Sequence, residues 1–326
     1  MANRLLYYLE MTLKMILFVL GDRNKYSNVF VTSPPIFIGL VGIIAKMRYK
    51  AKLVLDIRDL WPESLKGVGV FNNRFIIWTA ARFETFLYKT ADTIVVNSPG
   101  FIEYISKKAK IDAETIKYMP NSAATHELNL EEEKVPHEFK VIYTGNLGLA
   151  QDVDFLTELC RKMHEHRIKL NIVGYGYRKK ELVQFIKEQK LDNITFVTPT
   201  TRAECLRLNK EHDVGIVSLN DKEVFDTVLP GKIVDYMITG LPIVAAVSGY
   251  AKKMIEKHET GYVSEKRDIE EIIAYILFLK NHADVRKKLS LNCTNLIKSQ
   301  FLWEENIHML ISSMETQPGE VPLVSY

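Results

Sequence analysis

The run Phe225-Asp226-Thr227-Val228-Leu229-Pro230-Gly231-Lys232 leads into Ile233-Val234-Asp235-Tyr236-Met237-Ile238-Thr239-Gly240-Leu241-Pro242, and residues of these types at this spacing could hold a diphosphate. Pro230 suits the first helical position, where a missing N–H costs nothing, and Gly240 with Pro242 suits the helix end. Leu229 then stands at the N-cap and offers no acceptor to the first-turn amides. The open positive end of the helix dipole, with Gly231 at the turn and the Lys232 ammonium beside it, makes a socket for phosphate. Asp235 lies one turn further on the same face and is placed for sugar hydroxyls. Together these groups describe a nucleotide-sugar site. Taken alone, the stretch reads equally well as an ordinary amphipathic helix of an α/β domain.

The elements around it follow from hydrophobic patterning. Short apolar runs at 29–32, 52–57, 93–97 and 116–119 alternate with helical patterns at about 1–20, 36–48, 72–90 and from 99 onward, where Ser98 is placed to cap. A polar, acidic stretch at 126–138 (HELNLEEEKVPHE) is the best linker in the chain. A second alternation follows, with strands at 140–143, 170–173, 194–197, 214–219 and 243–247. Its helices fall at 152–164, 179–189, about 250–258, 268–280, 283–298 and 303–314, with Thr201-Arg202-Ala203-Glu204 as a capping box. The tail PGEVPLVSY reads as disordered. Strands alternating with helices mean parallel sheets covered on both faces, here in two runs. Ligands of open α/β sheets sit beyond the carboxyl ends of the strands. Those ends carry Ser33-Pro34-Pro35, Arg58-Asp59-Leu60-Trp61-Pro62-Glu63, Gly145-Asn146-Leu147-Gly148, Gly174-Tyr175-Gly176, Thr198-Pro199 and the Pro230 loop. A ligand held between two domains is the natural expectation.

Composition narrows the classes. The chain has 326 residues, enough for two domains, and its net charge of +3 does not mark a nucleic-acid binder. Cys160, Cys205 and Cys293 are widely spaced and read as reduced cytosolic thiols. No apolar run approaches the about 20 residues that cross a bilayer, and the N-terminus lacks a signal-peptide cleavage site. The segment 70–88 (VFNNRFIIWTAARFETFLY) is rich in aromatics and holds two arginines, so it suits a lipid surface or a core-facing helix. Asp152-Val153-Asp154 reads as a helix cap rather than a metal pair, and Cys160, His164 and His166 as a solvated helix end. Lys107, Lys108 and Lys110 read as a solvated face, with anionic lipid or a diphosphate-linked acceptor as the alternative. Gly174-Tyr175-Gly176 lacks the third glycine and the downstream carboxylate of a dinucleotide fingerprint, so no nicotinamide cofactor is expected.

SPPIFIGL, LVLDIRDLWPESL, ADTIVVNSPGF and KYMPNS resemble the N-terminal domain of family 4 glycosyltransferases of the GT-B fold, in the branch that builds bacterial capsule and O-antigen repeat units. VIYTGNLGLAQDVDFL, IVGYGYRKKEL, FVTPTTRAECL, DVGIVSL and LPGKIVDYMITGLPIVAAVSG resemble its donor-binding domain, and FLWEEN the segment that crosses back to the first domain. The resemblance implies two Rossmann-like α/β domains: an acceptor-side domain over 1–130, a nucleotide-sugar domain over 131–298, and a crossover helix and tail over 299–326. It implies retaining, metal-independent transfer of a sugar from a nucleotide diphosphate, UDP by resemblance alone, to a polyprenyl-diphosphate-linked acceptor. The nucleotide-sugar is then a substrate and no cofactor is needed. Carried over, Gly145, Asn146 and Gly148 approach the donor phosphates with Lys232, backbone at Val197, Thr198 and Pro199 holds the base, and Asp235 holds the ribose. Arg58 and Asp59 sit at the reacting centre, where a carboxylate offsets an oxocarbenium-like charge. Glu63 is a second carboxylate there, and Ser33, Pro34 and Trp61 lie on the acceptor side. The implied location is cytoplasmic, peripheral at the inner face of the plasma membrane.

The chain also departs from that pattern. Where many relatives carry a glutamate eight residues before the ribose carboxylate, it has Thr227, with Asp226 as a substitute, and the ribose position is aspartate. The arginine and lysine of many relatives after the first strand of the donor domain are absent, so Lys232 supplies more of the charge. No strand and glycine-rich loop precede the first helix, so about two βα units are expected to be missing, or supplied by a partner chain. That gap and Thr227 favour a non-catalytic nucleotide- or partner-binding subunit as the alternative. A nucleotide-sugar 2-epimerase is another, and it calls for more cleft carboxylates and histidines than can be placed.

Overall fold

A computed structural model describes residues 2–67, 69, 73–128, 138–148, 150–198 and 201–315. Pro199, most of the linker 126–138 and the tail 318–326 lie outside the described residues. The chain forms two compact units, Met1–Pro120 with Ile307–Tyr326, and Asn121–Asn306.

The first unit runs α1 (Ala2–Gly21), β1 (Asn28–Ser33), α2 (Ile38–Tyr49), β2 (Lys52–Ile57), α3 (Glu63–Gly67), α4 (Arg74–Thr90), β3 (Thr93–Val96), α5 (Gly100–Ala109) and β4 (Ile116–Tyr118). Its strands form one parallel sheet in the order β1-β2-β3-β4. Leu53 to Ile57 of β2 are all buried, which is why that strand is a continuous apolar run rather than an alternating one.

The second unit runs α6 (Thr125–Leu128), β5 (Lys140–Asn146), α7 (Val153–Glu165), β6 (Lys169–Tyr175), α8 (Lys179–Glu188), β7 (Ile194–Val197), α9 (Arg202–Lys210) and β8 (Val214–Ser218). It continues with α10 (Gly231–Ile238), β9 (Ile243–Ala246), α11 (Gly249–Lys257), β10 (Gly261–Val263), α12 (Ile269–Asn281) and α13 (Ala283–Gln300). The last helix, α14 (Trp303–Glu315), begins in this unit and ends in the first, where Leu310 packs with Val54, Val95 and Met119. The six parallel strands stand in the order β10-β9-β8-β5-β6-β7. The chain therefore winds one way from β5 and the other way from β8, and the crevice outside a β5/β8 switch is where such sheets bind ligands.

Two parallel-sheet α/β units are the expected fold class. Asp152 caps α7 by accepting from the Phe155 amide at 2.9 Å, and Thr201 caps α9 through the Glu204 amide at 3.2 Å, both as expected. The short elements β10, α3 and α6 were not anticipated. Ser98 does not take the cap position of α5, which Pro99 occupies. Lys108 is not solvated: its ammonium bonds Glu84, whose side chain is 2 % exposed.

Candidate functional site

Helix α10 begins one residue later than the proline pattern suggests. Pro230 has φ −61° and ψ 130°, so it is the N-cap rather than the first helical residue. The chemical consequence is unchanged, because proline offers no capping side chain either. The Ile233 N–H turns back to the Pro230 carbonyl at 3.0 Å, so the amides of Gly231 and Lys232 remain as the uncapped donors. Pro230 itself is buried, while Lys232 is half-buried.

Lys232 reaches across to the end of β5. Its Nζ lies 3.9 Å from the centroid of the Tyr143 ring and donates to Gln151 Oε1 at 3.1 Å. The single Tyr143 hydroxyl proton is shared between Gln151 Oε1 at 3.3 Å and the Asn146 carbonyl at 3.2 Å. Among the described residues no carboxylate is within ion-pair distance of this ammonium. Burial pushes it down to about 7, opposed by the negative field of Asp235. The amine closes on Gly145, which has φ 132°, and a Cβ there would stand 3.2 Å from Lys232 Cε and Nζ. The backbone angle favours glycine, and any side chain there would press on the lysine. A Cβ on Gly148 would stand 3.0 Å from Asn146 Nδ2, so Gly145, Asn146, Gly148 and Lys232 lie close together at the switch point.

Tyr236 fixes the helix there. Its Oη accepts from the Thr144 amide at 2.8 Å and donates to the Ile216 carbonyl at 3.1 Å, tying α10 to β5 and β8. A Cβ on Gly215 would come within 2.6 Å of the Tyr236 ring, so the strand glycine is what admits it. Tyr143, Gln151 and Tyr236 were missed by sequence reasoning. The lone glycine in the apolar run of β8 was a signal for Tyr236 alone.

Asp235 is 31 % exposed and its Oδ1 accepts from Arg202 Nη1 at 2.7 Å. The opposite edge of that guanidinium grips Glu127, Nε to Oε1 at 2.7 Å and Nη2 to Oε2 at 3.4 Å. Burial raises the Asp235 carboxyl and the adjacent Arg202 lowers it. Asp226 is committed to the start of α11, accepting from the Ser248 hydroxyl. The Thr227 hydroxyl donates to the Val224 carbonyl at 2.7 Å. Thr198 is exposed, with Lys179 Nζ 3.0 Å from its hydroxyl.

In the first unit, Arg58 and Asp59 lie just past β2. Arg58 Nε donates at 2.9 Å to Asp56, which is itself 2 % exposed and also receives the Thr32 hydroxyl at 3.1 Å. Asp59 accepts from the Ser64 hydroxyl at 3.0 Å, and burial raises its carboxyl above the usual range against that bond. The neighbouring Glu63 lies 3.8 Å from Lys108. Ser33 is buried and its carbonyl accepts the Arg58 amide at 2.9 Å; the exposed Pro34 follows through a cis bond. Trp61 meets Phe37 edge-on at 6.5 Å. Among the described residues no group of three His, Cys, Asp or Glu is arranged to hold a metal ion.

Comparison with known proteins adds the family. A model described as glycosyl transferases group 1 matches residues 138–282, and one described as glycosyl transferase 4-like domain matches residues 2–122. WcaI of Escherichia coli (strain K12), whose name assigns it to glycosyl transfer in colanic acid biosynthesis, is 22% identical over 220 residues. That match covers 62% of this chain and 53% of WcaI, so the chain spans about half the length of this curated relative. Among solved structures, Alr3699/HepE of Anabaena in complex with UDP superposes with a TM-score of 0.74 at 17% identity, covering 94% of this chain and 82% of that one. WaaG, a glycosyltransferase involved in lipopolysaccharide biosynthesis, gives 0.65 at 12% identity, covering 94% and 96%. At such identities the likeness establishes the fold, which is GT-B.

Proposed function

Since the chain belongs to the glycosyltransferases of group 1 with a 4-like N-terminal domain, we propose that it moves a sugar, with retention, from a nucleotide-diphosphate donor to a lipid-linked saccharide in bacterial surface polysaccharide synthesis. The observation that carries the reading is the Lys232 ammonium, without an ion-pair partner among the described residues, beside Gly145 and the uncapped turn of α10. A half-buried cation with no anion is costly, and a diphosphate supplies the missing charge. UDP is the proposed nucleotide because HepE was solved with it.

Reaction follows from charge placement. The bond from the anomeric carbon to the diphosphate oxygen breaks, the acceptor hydroxyl oxygen bonds that carbon on the same face, and its proton leaves with the diphosphate. Lys232 and the amides of Gly231 and Lys232 stabilise the growing negative charge, usually the largest contribution in such a site. Asp59, ion-paired with no cation among the described residues, offsets the positive charge at the sugar. No metal is assigned a part. The exposed Phe75, Ile76, Trp78 and Phe86 of α4, with Arg82 over the Trp78 ring, support contact with the membrane that holds a lipid-linked acceptor. Among the described residues no helix is long and apolar enough to cross a membrane.

The test is transfer of label from a panel of UDP-sugars to polyprenyl-diphosphate-linked saccharide, with UDP release measured in parallel. Transfer by the wild type and its loss in Asp59→Asn is the expected result. UDP binding with no transfer to any acceptor would favour a non-catalytic subunit.

A further inference from the structure

Arg202 opens α9, the end of a helix where the dipole disfavours a cation, and it is held there by two carboxylates from distant parts of the chain. The guanidinium divides its edges. Nε and Nη2 face the two oxygens of Glu127 at 2.7 and 3.4 Å, and Nη1 alone is left for Asp235 Oδ1 at 2.7 Å. Glu127 is fixed before it meets the arginine, since its Oε2 accepts from the Ala124 amide at 3.0 Å and its side chain is only 15 % exposed. The result is a chain of fixed parts, backbone to Glu127 to Arg202 to Asp235, in which one oxygen of Asp235 is occupied and the other has no hydrogen-bond donor among the described residues. A compact lysine ammonium cannot present this two-sided fork.

We propose that Arg202, braced by Glu127, is a positioning residue that aims the second oxygen of Asp235 at the ribose hydroxyls of the nucleotide, and so makes the site select ribonucleotides. The inference rests on the reading of Asp235 as the ribose carboxylate. Without Arg202 the carboxylate is free to rotate about its side-chain bonds, and the hydrogen bond that distinguishes ribose from deoxyribose loses its geometry. Glu127 acts at one further remove, through the arginine.

Calorimetry on the full chain tests this with UDP, 2′-deoxy-UDP, 3′-deoxy-UDP and inorganic pyrophosphate, with ADP and GDP alongside to cover the base. Wild type is expected to prefer UDP over at least one deoxy analogue by about tenfold or more, the size of a hydrogen bond to a charged group. Arg202→Met and Asp235→Asn are each expected to remove that preference, and the double variant to be no worse than either. Arg202→Lys should not restore it. Pyrophosphate, which lacks the ribose and needs only the Lys232 socket, should still bind Arg202→Met, and a wild-type far-UV circular dichroism spectrum marks each variant as folded. Preference kept in Arg202→Met but lost in Asp235→Asn overturns the inference and leaves the ribose reading standing. Preference kept in Asp235→Asn overturns the ribose reading and the inference with it, as does failure of wild type to bind any of the three nucleoside diphosphates.

Discussion

Lys232 is the residue on which the proposed chemistry turns, and its surroundings set a pH dependence. In the ligand-free protein burial holds the amine near 7, far below the 10.5 of a free lysine. Above about pH 7 the free site is mostly neutral, whereas a bound diphosphate favours the ammonium. Donor binding should therefore take up a proton above pH 7, and UDP affinity should fall as pH rises from there, by at most tenfold per unit. Titrations in buffers of different ionisation enthalpy read that uptake directly, and Lys232→Met should abolish it. The same shift predicts that the unliganded protein gains stability between about pH 7 and 10.5, where the unfolded chain holds a proton that the folded one has released. In the proposed reaction Asp59 acts later. Asp59→Asn keeps the Ser64 contact within reach and should leave UDP affinity unchanged while lowering turnover about a hundredfold or more, as removal of a charge-stabilising group does. Lys232 was legible because Pro-Gly-Lys is local. Arg202 and Glu127 were not, since 75 positions separate them and only the fold brings them together.

At the level of elements, α5 shows how periodicity misleads about a long side chain. Phe101, Ile105 and Ala109 are its buried stripe, and the triplet Lys107, Lys108 and Lys110 looked like the opposite face. Lys108 instead flanks the stripe, three residues past Ile105, and turns in beneath α4 to reach Glu84. There Tyr88 also donates to Glu84, at 2.7 Å, and Glu63 of α3 stands 3.8 Å from the ammonium. Burial raises the Glu84 carboxyl and the adjacent Lys108 opposes that rise. Lys108→Met would leave a buried carboxylate unpaired, so urea unfolding should show a loss of about 3–5 kcal/mol, with the further change Glu84→Gln recovering part of it. In α4 the two readings divide along the helix. Leu87 and Tyr88 are core, but Phe75 and Trp78 are 72 % and 56 % exposed. Phe75→Ser with Trp78→Ser should weaken cosedimentation with anionic lipid vesicles several-fold without lowering UDP affinity; unchanged cosedimentation would remove α4 as a membrane contact.

For the whole molecule, the alternation of apolar runs with helical patterns was enough to read two parallel-sheet units, because parallel strands buried on both faces are short continuous runs such as that of β2 and β8. The three-residue β10, half-buried at an edge, left no such mark. Nor could the strand order be read, and it is the order that gives the second unit its switch at β5 and β8, where Gly145 and Lys232 meet. The central claim is that this meeting point is a diphosphate site. Calorimetric titration of UDP into wild type and Lys232→Ala at pH 6.5 tests it most directly. Saturable one-to-one binding by wild type, weakened at least tenfold in Lys232→Ala, is the predicted result. Equal affinity in the two proteins, or no binding to wild type, would contradict it.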